Sequence, residues 1–271
     1  MTGRLSIDSG KTLISGVLNM TPDSFSDGNM FFDVQSAFNR AKEMADQGAD
    51  IIEVGGESTR PGSRPVTAEE ELRRVLSVVK KIASELTVPV SIDTYKPRVA
   101  EECLKNGASM INDVTGLRNE AMIQVAAKYD ATVVIMHMQG TPQNMQDNPQ
   151  YQDLIGEINQ FFAARIEAAE RAGVNKIILD PGIGFGKSVE HNLEIIRRLP
   201  EFREFGCPLM IGTSRKSFIR RITGAKTNAE LLPGTIASIC IAVGNGADIV
   251  RVHDVKECSL ALGVVDALFR R

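Results

Sequence analysis

The sequence predicts an α/β chain folded as a single (β/α)8 TIM barrel with a short N-terminal hairpin. Eight times a short apolar run ends in a polar residue, and a helical stretch follows. Four of these runs open with similar phrases, in which a glycine separates a helix from the next strand: QGADIIEVGG, NGASMINDV, AGVNKIILD and NGADIVRVHD. The length of 271 residues matches the roughly 250 typical of one such barrel.

Taken in order, residues 4–14 precede the first strand and can form a hairpin closing the barrel's bottom. The eight runs are LISGVLNM ending near Asn19, DIIEVGG at Glu53, VPVSID at Asp93 and ASMIND at Asn112, then TVVIMHM at His137, NKIILD at Asp180, PLMIGTSRK at Lys216 and ADIVRVH at His253. They are apolar throughout rather than alternating, as parallel strands covered on both faces should be. Between them lie amphipathic helices at 33–47, 67–86, 97–107, 119–129, 151–173, 189–199, 215–222 with 233–246, and 256–270. Thr67 followed by Glu70 fits a capping box. Pro97 suits a first helical turn, and the repeated glycines suit left-handed C-caps. Barrel active sites sit at the C-terminal ends of the strands, where this chain gathers its Asn, Asp, His, Lys and Arg. Two connections on that rim, 19–32 and 55–66, are long enough to clamp a substrate.

Composition narrows the function. Hydrophobic residues make up 43% of the chain, and no Pro/Gly/Ser-rich linker divides it, so 1–271 reads as one domain. A formal charge of −3, from 31 basic and 34 acidic side chains, argues against a nucleic-acid groove, which needs a basic face. Cys103, Cys207, Cys240 and Cys258 lie far apart and suggest reduced core thiols rather than a zinc site or disulfide framework. The N-terminal MTGRLSIDSG lacks the basic and apolar regions of a secretory signal. No apolar run approaches the ~20 residues that cross a bilayer. The expectation is a cytoplasmic protein with neither a membrane nor a nucleic-acid partner.

DPGIGFGKS has Pro181 where a P-loop needs glycine, and its glycine spacing does not fit a dinucleotide fingerprint. Its glycines instead let the backbone pass close to a flat ligand held by Asp180. Arg251 and His253, two apart on a strand, face the same side and can bind an anion at the barrel mouth. In GTSRKS, Ser214 or Thr213 can N-cap the next helix and aim its free N–H groups at the mouth, with Lys216 and Ser217 adding donors. The same stretch also reads as an ordinary capped helix with a solvated Arg–Lys pair. Asp93, Asn112 and Asp180 each can serve only their own loops. Together they offer acceptors to a small heterocycle with ring N–H and amino donors. LLPGTIASICIAVGNGA, apolar nearly all round, reads as core or as subunit interface.

These residues together resemble the dihydropteroate synthase family of folate biosynthesis over essentially the whole chain. GVLNMTPDSFSDG, GGESTRPGS, SIDTYKP, INDVTG, HMQGTP, DPGIGFGK, GTSRKSF and RVHDV look like that family's motifs and keep its order. Small departures are Met20 where Val is usual and Asn29 where a second Gly is usual. The resemblance implies condensation of 6-hydroxymethyl-7,8-dihydropterin diphosphate with 4-aminobenzoate, the reaction that sulfonamides target. It implies that Asp93, Asn112, Asp180 and Lys216 hold the pterin, in a slot lined by Val114, Met136, Phe185 and Gly212. Asn19, Thr59, Arg251 and His253 would engage the diphosphate, with Mg2+ reached through Asn19. Phe25, Arg60, Pro61, Lys216 and Ser217 would form the aminobenzoate pocket. Asp93, Lys216, Arg251 and His253 would be the catalytic set, in a homodimer. The alternatives weighed are a pterin-binding methyltransferase, which would need a corrinoid partner and leaves GTSRKS without a purpose, and a non-catalytic pterin-binding paralogue.

Overall fold

Strand and helix alternate because each apolar run buries both faces and each intervening segment buries one. The computed structural model describes residues 10–21, 33–59 and 62–270. Among them run β1 (Leu13–Asn19), α1 (Val34–Asp46), β2 (Ile51–Gly55), α2 (Ala68–Glu85), β3 (Val90–Asp93) and α3 (Pro97–Lys105). Then follow β4 (Met110–Asp113), α4 (Glu120–Lys128), β5 (Thr132–Met136), α5 (Leu154–Arg171), β6 (Ile177–Asp180) and α6 (Val189–Arg197). The chain ends with β7 (Met210–Ile211), α7 (Ser217–Thr223), α8 (Asn228–Gly244), β8 (Ile249–Val252) and α9 (Val255–Phe269). All strand pairs are parallel, in the order β6-β5-β4-β3-β2-β1-β8-β7. The Leu179–Leu209 bridge joins the two ends and completes the barrel. Of the expected N-terminal hairpin, residues 4–9 lie outside the described residues.

Several helix ends follow local chemistry. Pro97 opens α3, and Gly48, Gly107, Gly173 and Gly246 take positive φ just past helix ends, as the repeated phrase requires. The capping box expected at Thr67 is half made. Thr67 accepts the Glu70 N–H, but the Glu70 carboxylate turns to Arg73 and Arg74 instead of back to the cap. Helix α8 begins well before the expected residue 233, because Thr227 and Glu230 form a complete capping box that carries Pro233 inside the helix. A 3-10 helix at Leu199–Phe205, absent from the sequence reading, leads into β7.

Side chains alternate along each strand, so inward positions recur every second residue. At the barrel's lower end Leu13, Ile51, Met110, Val134, Ile178, Met210 and Ile249 form an apolar plug of their own. One pleat higher, the inward residues become Ser15, Glu53, Ser91, Asn112, Met136, Asp180, Gly212 and Arg251. The outward faces pack on the helices in the main core, with Ile52, Val54, Ile92, Ile111, Val133, Leu179 and Val250 among its members. The barrel interior therefore changes from apolar to polar within about two residues' rise, roughly 6–7 Å.

Candidate active site

The polar layer and the residues just above it gather Glu53, Asp93, Asn112, Asp180, Lys216 and Arg251 at the C-terminal mouth. Asn112, fully buried on β4, donates its amide N–H to Asp93 Oδ1 at 3.2 Å. That bond orients the amide and leaves Asn112 Oδ1 buried with no hydrogen-bond partner among the described residues. Asp180 accepts the Gly182 N–H at 2.7 Å on Oδ1 and Arg251 Nη2 at 2.9 Å on Oδ2. Arg251 Nη1 also stands 3.7 Å from Glu53 Oε1. Gly212 makes room for this guanidinium, since a Cβ there would lie 3.0 Å from Arg251 Nε. Asn19 ends β1 half-buried. A Cβ on neighbouring Gly55 would meet both Asp93 Oδ2, at 3.4 Å, and Asn19 Oδ1, at 3.7 Å.

Above this floor stands an apolar wall. Val114, Met136, Met138, Met145 and Phe185 form a cluster separate from the core, with Tyr95 packed against it. Lys216 Nζ lies 4.1 Å over the Phe185 ring, within cation–π range. An apolar surface thus stands beside the carboxylate and amide acceptors of the mouth. Burial, followed by the neighbouring Arg251 charge, lowers the Lys216 ammonium to about 7. Burial raises the Glu53 carboxyl as well. Arg251 keeps its charge despite burial, because Glu53, Asp180 and Asp93 surround it.

Other expected residues lie nearby in different settings. His253 Nδ1 is 3.1 Å from Ser214 Oγ, just past β8. Thr59 is half-buried after β2, and Ser217 is exposed at the start of α7. Phe25, Arg60 and Pro61 lie outside the described residues. Ser214 and Thr213 are not the expected N-caps. Ser214 meets His253, Thr213 accepts from Ser238 Oγ at 2.8 Å, and α7 starts at Ser217 without a side-chain cap. Nor is there a solvated Arg–Lys pair: Arg215 forms a two-point ion pair with Asp254, and Lys216 turns inward over Phe185.

Two of the glycines of DPGIGFGK, Gly182 and Gly186, pack against the chain after β5. A Cβ on Gly182, at φ +72°, would fall 1.9 Å from the His137 carbonyl oxygen. Close approach to the chain after β5 thus fixes that position, and only Gly184 faces a site side chain, Lys216. Lys187, set aside with the failed P-loop pattern, is 3% exposed, with Nζ 3.0 Å from both His137 Nδ1 and the Phe185 carbonyl. It fastens the loop that carries Phe185. Burial lowers this amine to about 7 and His137 to about 2. Glu53, expected at a strand end, lies within β2, which runs on to Gly55. Its inward phase, one pleat above the plug, is the signal that assigns it to the site.

A family model described as pterin binding enzyme matches residues 15–253. A dihydropteroate synthase from Synechocystis sp. is 46% identical over 272 residues, covering 99% of this chain and 94% of that protein. A dihydropteroate synthase structure from Clostridium difficile, obtained with pteroic acid, superposes with TM-score 0.91 at 50% identity, over 97% of this chain and 99% of the other. The Xanthomonas albilineans dihydropteroate synthase, in complex with 7,8-dihydropteroate, gives TM-score 0.87 at 37% identity, over 97% and 95%.

The cluster makes a definite electrostatic prediction. Asp93 is pushed up from 3.8 to about 8, first by burial and then by the Glu53 charge. The folded chain keeps a proton there that the unfolded chain releases, so this group's contribution to stability falls as pH rises from about 4 to about 8. Glu53→Gln keeps the side chain's size and removes the like charge. The Asp93 carboxyl should then ionise at lower pH, read by carbon NMR titration of that carboxyl. An unmoved midpoint would show that burial alone sets it.

Proposed function

The chain belongs to the pterin-binding enzyme family and, within it, to the dihydropteroate synthases, and from that premise we propose how its residues divide the reaction between them. The reaction condenses 6-hydroxymethyl-7,8-dihydropterin diphosphate with 4-aminobenzoate, giving 7,8-dihydropteroate and pyrophosphate. One observation carries the assignment of the slot. Asp93, the unpartnered Asn112 Oδ1 and Asp180 stand at the barrel mouth beside the apolar cluster of Val114, Met136 and Phe185. Ring N–H and amino groups of a pterin suit those acceptors, and its flat face suits that wall. Lys216 contributes a donor, and Gly212 leaves the space that Arg251 fills.

The C–O bond to the diphosphate breaks, and the electron pair leaves with pyrophosphate. The pterin methylene left behind is cationic, and the nitrogen of aminobenzoate attacks it, then loses its proton. Asp93 stabilises the cation, and the cation in turn favours the ionised form of that carboxyl. Arg251 and His253, with Thr59 and Asn19, face the departing charge. Lys216 and Ser217, together with Phe25, Arg60 and Pro61, receive aminobenzoate.

The donor set at Asn19 fits Mg2+ held weakly. It offers one neutral oxygen, and among the described residues no group of three or more His, Cys, Asp or Glu side chains could hold a metal. Asn19 would hold such an ion together with the substrate's phosphates, and the ion would supply neutralisation of charge on the leaving group.

We read 1–271 as one domain that pairs into a homodimer. Leu260, Val264 and Leu268 follow one another at helical spacing along α9 and are 71%, 63% and 70% exposed; Phe269 adds to the stripe at the end of the same helix, and Ile241 on α8 is also exposed. An apolar stripe of this kind is suited to a second copy of the chain. Among the described residues no single helix is long and apolar enough to cross a membrane. We place the protein in the cytoplasm, with small-molecule substrates and without a nucleic-acid partner.

A coupled assay for pyrophosphate release, dependent on both substrates, tests the activity. In it Asp93→Asn should cost about 10²–10³ in rate while leaving the fold intact, the usual loss for one well-placed electrostatic contact. Near-normal turnover in the folded variant would remove Asp93 from the mechanism. Calorimetry should find weak Mg2+ binding to the empty enzyme and stronger binding once pyrophosphate is present. Full turnover in excess chelator would rule the ion out. Val264→Glu should convert the dimer to monomer in analytical ultracentrifugation, and an unchanged sedimentation coefficient would place the interface elsewhere.

A further inference from the structure

The connection from β2 to α2, which brings Thr59 to the site, has both its ends tied by one carboxylate. Glu57, two residues past β2, is 8% exposed. Its Oε2 accepts the Val66 N–H at 2.9 Å, nine residues along the chain, and so draws the two ends of the connection together. The same oxygen receives Lys96 Nζ at 2.6 Å, while Oε1 receives the Tyr95 hydroxyl at 2.6 Å. Tyr95 and Lys96 directly follow β3, two and three residues after Asp93.

The cluster continues in two directions. Lys96 also pairs with Glu71, a fully buried residue of α2. Arg74, one turn further along α2, donates to the Gly56 carbonyl at 2.8 Å. Tyr95 packs against the apolar wall of the pterin slot. Burial opposes the charge on Glu57, yet Lys96 and Tyr95 hold its carboxyl below the usual range. One buried ion-pair cluster therefore joins the neck of the connection, the helix after it, the strand end bearing Asp93 and the wall of the slot. An apolar set of similar volume would hold helix to strand as well as these charges do. What the charges add is a fixed distance and direction between the neck and Asp93.

We infer that Glu57 is a positioning residue for the condensation, registering the β2–α2 connection, and with it Thr59, against the pterin held at Asp93. The inference rests on the assignment of Thr59 to the diphosphate and of Asp93 to the pterin. Glu57 touches neither substrate; it acts through Val66, Tyr95 and Lys96. The pterin ring is held by residues outside this cluster, whereas the diphosphate depends on where the connection stands. Loss of Glu57 should therefore separate the two parts of one substrate.

The test compares wild type with Glu57→Gln, which keeps the size and removes the charge that Lys96 meets. Two ligands are used: the pterin diphosphate in turnover, and 6-hydroxymethyl-7,8-dihydropterin, which lacks the diphosphate, in direct binding. The expected result is a Kd for the diphosphate-free pterin within about twofold of wild type, and kcat/KM for the diphosphate lowered about 10–100-fold, the scale on which a small misplacement acts. Lys96→Met should reproduce the loss, and the double variant should lose little more than either single one, since the pair works as a unit. Unchanged kcat/KM in a folded Glu57→Gln, or equal losses for both ligands, would overturn the positioning role. If Glu57→Gln does not fold, Tyr95→Phe removes one hydrogen bond and supports the same comparison. A wild type that releases no pyrophosphate would remove the functional reading itself, a failure distinct from a variant that matches an active wild type.

Discussion

Arg251 is the charge on which the mouth of the barrel balances. Three acidic groups, Glu53, Asp93 and Asp180, share a partly dry space with Lys216 and Arg251, and isolated ions in such a space cost several kcal/mol each. Arg251 reaches two of the acids at once, from above the plug, and Gly212 is small so that it can. With Asp180 held in this way and by the Gly182 N–H, its position is set before any ligand arrives. Asp93 is held by the Asn112 amide. These acceptors are therefore preorganised, which is what a site must be if it is to stabilise charge without first rearranging.

What was legible in the sequence and what was not divide along a physical line. Each strand is announced by a run of five or so apolar residues and each helix by its period, both local properties of the chain. The strand-end residues Asp93, Asn112 and Asp180 stand at the mouth because the runs that carry them stop there. The errors concern partners that are distant along the chain. Ser214 has the right chemistry for an N-cap, but His253, 39 residues away, takes its hydroxyl. Gly182 of DPGIGFGK answers to the His137 carbonyl, just past β5. Glu53 sits in an apolar run that gives no warning of its direction, and its place two residues after the plug residue Ile51 fixes it as inward. Helix α8 is a local exception: Thr227 and Glu230 cap it upstream of Pro233, which the helix then carries inside it.

Lys187 and Glu57 are buried groups that tie loops of the mouth to the barrel. One buried amine pins the loop bearing Phe185 to His137. One buried carboxylate pins the connection bearing Thr59 to the end of β3. In each case an ionisable group is buried, and its hydrogen-bond partners are backbone groups as well as side chains. Small errors in placing reacting groups are expensive, so such anchors belong to the chemistry as much as the residues they carry.

The two-residue pleat has a last consequence, for how such a protein can change. Inward and outward positions alternate on every strand, so the surface that packs on helices and the surface that does chemistry are written in interleaved but separate letters. Exchanging Ser15 or Ser91 alters the chamber without touching Ile14 or Ile92, which face the helices. Inserting one residue into a strand would exchange the two alphabets and destroy both. Novelty can therefore enter by substitution along the strands and by length only in the loops, and the same frame can be rewritten for another ligand one letter at a time.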